Sequence, residues 1–68
     1  MVIQFVLKTE LGEFKSETMN VTEEQYTNLV EMSKTYYNSG FDMYLPNGFL
    51  VASAELIKKS ILMIEIIE

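Results

Sequence analysis

The side chains that carry most protein chemistry are thinly supplied in this sequence. It has no histidine and no cysteine, so a general base tuned near neutral pH and a thiolate nucleophile are both missing. Ser16, Ser33, Ser39, Ser53 and Ser60 have no activating partner, and none stands in a Gly-x-Ser-x-Gly elbow. Ser53 reads as a helix cap, Ser33 as a small residue on a helix face, and Lys58 and Lys59 as solvated charges. This inventory predicts a non-enzymatic protein with no catalytic residue.

Bound groups fare no better. Structural zinc lacks its nitrogen and sulfur ligands, and a hard cation needs several converging carboxylates. Glu23-Glu24 and Glu65/Glu68 are close acids; a helix start explains the first pair and a charged tail the second. The three glycines stand far apart at turns, so no phosphate-cradling loop is present. We expect no cofactor and no metal.

Charge narrows the partners. Ten acids face five lysines for a net charge of −5, with no arginine. Arginine is the preferred residue for bidentate phosphate and guanine contacts, and a negative field repels phosphate. Direct nucleic-acid binding and an anionic membrane surface are therefore disfavoured. No run reaches the roughly 18 apolar residues of a membrane span, and no basic region precedes an apolar core at the start. The expected setting is soluble and cytoplasmic.

Binding is the chemistry left. Tyr26, Tyr36, Tyr37, Phe41 and Tyr44 gather around one helix and its exit, and tyrosine is enriched at interface hot spots. Packing onto a sheet accounts for Tyr26 and Tyr37; Tyr36 and Tyr44 remain candidates. Glu10, Glu13, Glu17, Glu24, Glu31 and Asp42 are scattered among lysines, which reads as solvated surface more readily than as a row of charges.

The elements that position these residues follow from periodicity, over one domain spanning residues 1–68. One amphipathic helix is predicted over about Thr22–Ser39. Thr22-Glu23-Glu24-Gln25 forms a capping box, and Asn38-Ser39-Gly40 supplies a closing glycine from which Phe41 folds back onto Tyr36. Before it, Val2–Thr9 and Phe14–Met19 form a hairpin about Glu10-Leu11-Gly12-Glu13. After it, Phe41–Leu45 and Phe49–Ala52 form another about Pro46-Asn47-Gly48, where Asn-Gly tolerates left-handed backbone. Ser53–Glu68 fits either one helix or a short turn at Ala54–Lys59 followed by a strand at Ser60–Ile67. The β-branched run favours the strand. The fold class is α+β: a mostly antiparallel five-stranded sheet, or partly curled small barrel, with the helix across one face.

More apolar residues occur than one helix can cover. Ile3, Phe5 and Leu7 share a strand face, yet Val2 and Val6 lie on the other. Either parity of the last strand adds three more: Ile61, Met63 and Ile67, or Leu62, Ile64 and Ile66. Either the sheet closes on itself, or another chain covers the second face or the last edge. The candidate partner-binding residues are Tyr36, Tyr44, Leu62, Ile64 and Ile66.

The expected function is that of a small acidic interaction domain, self-associating or binding a protein partner that it masks or modulates. One alternative is an acidic inhibitor that mimics nucleic acid to block a nucleic-acid-handling or host-defence enzyme. In size and composition alone the chain is similar to such phage and mobile-element proteins. Another alternative is a structural or accessory subunit.

Overall fold

A computed structural model describes residues Met1–Glu68. Its central element is β1 (Val2–Thr9), the one strand paired along both edges. Glu10 and Leu11 turn the chain into β2 (Gly12–Lys15), with Thr9 opposite Gly12 and Leu7 opposite Phe14. Gly12 has φ +139°, the positive angle expected at this turn. Pairing with β1 then breaks and resumes at β3 (Met19–Asn20), where Ile3 faces Met19. The register slips by one residue across the break, so Glu17 and Thr18 together oppose Gln4. This is a β-bulge inside the segment that the alternation of Phe14–Met19 presents as one strand.

The capping box at Thr22 is present. Its hydroxyl accepts from the Gln25 N–H at 3.1 Å, and the Gln25 side chain accepts from the Thr22 N–H at 2.9 Å. The helix it starts is shorter than predicted: α1 (Glu23–Ser33) stops, and α2 (Tyr36–Ser39) adds a separate turn. Local competition for carbonyls explains the break. Ser33 Oγ donates to the Val30 carbonyl and Thr35 Oγ1 to that of Met32, each at 2.7 Å. The Lys34 and Thr35 amides reach back three residues rather than four, tightening the turn.

Gly40 closes α2 with φ +81°, and Phe41 stacks on Tyr36 at 4.6 Å between ring centroids. β4 (Phe41–Leu45) and β5 (Gly48–Ala52) follow as a hairpin with Leu45 opposite Gly48. Its loop is the pair Pro46-Asn47, and neither Asn47 nor Gly48 has positive φ. The left-handed Asn-Gly turn predicted from sequence is not formed, because proline already fixes the first corner of an ordinary turn. α3 (Ala54–Lys58) is capped by Ser53, whose Oγ accepts from the Leu56 N–H at 3.2 Å. β6 (Ile61–Ile66) then runs antiparallel to β1, with Ile3 opposite Ile66 and Lys8 opposite Ile61. The short-turn-plus-strand reading of Ser53–Glu68 therefore holds.

The predicted single five-stranded sheet is instead two antiparallel sheets: β4 and β5 form their own, apart from β1, β2, β3 and β6. The second hairpin lies on the first sheet. Phe5 and Leu7 from β1 pack with Met43, Ala52 and Ile57, so β4, β5 and α3 provide the cover assigned from sequence to the long helix. No residue of α1 is fully buried, and Leu29 is its contribution against the core. A core this small leaves little margin in a chain that has no cysteine for a disulfide.

Gly40 fixes how the exit from α2 passes β5 and the start of α3. A Cβ there would lie 2.8 Å from the Ala52 carbonyl oxygen, and the backbone angle already excludes ordinary side chains. Gly48 has open space around it. Gly40→Ala is expected to cost about 2–3 kcal/mol in urea unfolding, from strain plus the backbone clash, whereas Gly48→Ala should change stability by less than about 1 kcal/mol.

Candidate functional site

β6 begins where α3 ends. Ile57, fully buried, anchors α3 to the core, and Ser60 Oγ donates to the Leu56 carbonyl at 2.6 Å, turning the chain back toward β1. Hydrogen bonding alternates along an antiparallel pair, so the direction of each backbone group can be followed. Phe5 bonds toward the bulge: its N–H donates to Ser16 Oγ and its carbonyl accepts from the Ser16 N–H, both at 2.9 Å. Val2 bonds toward β6, accepting from Ile67 at 2.8 Å. Odd residues of β1 thus serve β2 and β3, and even residues serve β6.

From the observed register, Ile61, Met63 and Glu65 direct their backbone groups at β1. The N–H and C=O groups of Leu62, Ile64 and Ile66 point the other way and have no partner within the chain. This is an open strand edge. Glu65 is its only charge, and no proline or bulge interrupts it, although edges are commonly blunted by such features.

The candidate residues fall into different environments. Leu62 and Ile64 are half-buried against the core, so their side chains are held inward while their backbone faces outward. Ile66 is 54% exposed. Tyr36 is half-buried on Phe41, whose ring lies 5.0 Å from Phe5, and belongs to an aromatic stack joining the layers. Tyr44 is 69% exposed on the outer face of the second hairpin and meets Phe49 edge-on at 4.9 Å.

Two sets of exposed apolar residues lie beyond the sequence candidates. Phe49 and Val51 extend the Tyr44 face, since Tyr44 pairs with Phe49 and Asp42 with Val51. A two-residue loop would have revealed that register, whereas reading Pro46-Asn47-Gly48 as the turn leaves it unset. Ile61 and Ile67 are exposed at the two ends of β6. They belong to the parity opposite to Leu62 and Ile64, and only the pairing with β1 decides between the two.

Beside Tyr44 a cleft of about 350 Å³ separates β4 from the bulge, lined by Phe5, Met19, Phe41 and Met43 with Glu17 and Asp42 among its polar residues. The Glu17 N–H donates to the Tyr44 carbonyl at 2.9 Å across it, tying the two sheets together. No cluster of three or more metal-ligating side chains forms, and no helix is long and apolar enough to cross a membrane.

Ser16 holds the bulge that aims Glu17. Buried, it accepts from Phe5 and donates to the Glu17 carbonyl at 2.9 Å. Ser16→Ala should leave the Phe5 N–H unpaired in the interior and lower the unfolding free energy by about 1–3 kcal/mol. Amide exchange at Phe5 and Glu17 should accelerate in that variant more than exchange in α1.

No family model, curated protein or solved structure matches the chain.

Proposed function

We propose that this chain is a non-enzymatic protein-interaction domain that binds by strand addition at β6 and masks or modulates the partner it pairs with. The open edge carries the proposal. The outward backbone groups of Leu62, Ile64 and Ile66 offer donors and acceptors at strand spacing, with exposed Ile61, Ile66 and Ile67 beside them. An added strand gains main-chain hydrogen bonds for affinity and apolar contacts for selectivity. The outer edge of β5 offers only the outward groups of Phe49 and Val51, a shorter run than that of β6, and exposed aromatics taken singly are ordinary on protein surfaces.

Electrostatic mimicry of nucleic acid draws less support. Glu13 lies between Lys15 at 3.6 Å and Lys8 at 4.0 Å, and Glu31 meets Lys34 at 3.2 Å. These lysines interrupt any row of negative charge, and a salt titration separates the two readings, since mimicry weakens steeply with salt and an apolar edge does not.

Ile66→Pro tests strand addition. The Ile66 N–H faces outward, so proline there removes no bond to β1, and edge strands accept it. The variant should keep its far-UV spectrum and stability to within about 1 kcal/mol, yet lose the proteins that the wild-type chain captures from native cells. Undiminished capture of the same proteins by the folded variant would discard strand addition.

A further inference from the structure

We infer that the strand added at β6 is the β6 of a second copy, running antiparallel across a two-fold axis at Ile64. The inference rests on the strand-addition reading and names its partner.

Register selects the arrangement. Antiparallel pairing matches outward-bonded residues only with outward-bonded residues, and a two-fold axis makes the seam self-complementary. Centred on Ile64, the seam pairs Ile64 with its own copy and Leu62 with Ile66, so every free N–H and C=O of the edge is used. Centring on Met63 pairs Leu62 with Ile64 and leaves Ile66 unmatched. Centring on Glu65 leaves Leu62 unmatched and sets Glu65 against Glu65, and like charges directly opposite are destabilising.

Charge agrees with the same register. Glu65 falls opposite Met63, away from its own copy. The seam thus sets no like charges directly opposite, which suits self-association of a chain carrying −5 charges. Paired residues share a sheet face, so the Leu62, Ile64 and Ile66 side chains of both copies lie on the core side. Ile61 comes opposite Ile67, joining two exposed apolar side chains on the other face.

The absence of cysteine makes the register directly measurable. Met63 and the partner copy's Glu65 would form a non-hydrogen-bonded pair with Cα atoms about 4.5 Å apart, within disulfide reach. Met63→Cys and Glu65→Cys chains, mixed and oxidised, should cross-link about tenfold faster than either variant alone. Unmodified protein should move in sedimentation from 7.9 kDa toward twice that mass as concentration rises. Ile66→Pro should abolish that shift.

Cross-linking dominated by Met63→Cys alone, or by Glu65→Cys alone, overturns the Ile64-centred seam. Unmodified protein that stays monomeric up to its solubility limit, with no cross-link in the mixture, overturns the second copy as partner. If Ile66→Pro still removes captured proteins in that case, strand addition to a different chain survives independently. If it does not, both readings fail together.

Discussion

β1 must serve as the middle of everything. A chain of 68 residues without cysteine has one strand whose two edges are both hydrogen-bonded, and the buried core starts from its side chains. Using both edges commits β2, β3 and β6 to be outer strands. Covering its Phe5–Leu7 face commits the second hairpin and α3 to that side. The free edge of β6 is what remains when one strand takes the centre of a narrow sheet, and a wider sheet would have paired it.

The bulge at Glu17–Thr18 is the second constraint, and it is coupled to the first. A regular continuation of β2 would carry its groups straight past β4. The added residue turns the Glu17 amide outward to the Tyr44 carbonyl while Ser16 satisfies the β1 backbone behind it. One buried hydroxyl therefore sets the bulge that joins the sheets and shapes the cleft between them. At the other end of β4, Gly40 lets the helical exit pass against the Ala52 carbonyl of β5. The net value of each hydrogen bond is only about 1 kcal/mol, but an unpaired buried group costs more.

Local signals in the sequence translate directly into structure. The Thr22 capping box, the Gly12 turn, the Phe41–Tyr36 return and the Ser53 cap each involve residues close along the chain, and each forms. Apart from the Asn47-Gly48 turn, which its proline neighbour displaces, the failures are non-local or depend on a small balance. Periodicity continues through Lys34 and Thr35, but it does not count the carbonyls taken by Ser33 and Thr35 hydroxyls. Nothing in Phe41–Ala52 says that its hairpin stacks on the first sheet rather than extending it, because both arrangements bury Met43 and Ala52. The candidate site divides in the same way. The apolar surplus of β6 is visible in its composition, whereas its edge position follows from topology, and the inward direction of Leu62 and Ile64 follows from the pairing of Phe5 with Ile64 and Leu7 with Leu62. Tyr36 and Tyr44 look alike in sequence and separate only when α2 and β4 place one in a stack and the other in solvent.

The two outer edges of the first sheet differ in a way that bears on assembly. The β2–β3 edge carries Glu13, Lys15 and Glu17 and is broken by the bulge, so a second strand cannot run along it in register. The β6 edge is continuous and apolar. Had both edges been open, β6 of one copy could add to β2 of the next, and that heterologous contact would propagate into a filament. With one edge blunted, a copy that pairs through β6 has no second open edge of the first sheet left to offer. The bulge that joins the sheets therefore also keeps a second strand off the β2–β3 edge, so internal packing and the blunting of that edge depend on the same few residues around Ser16.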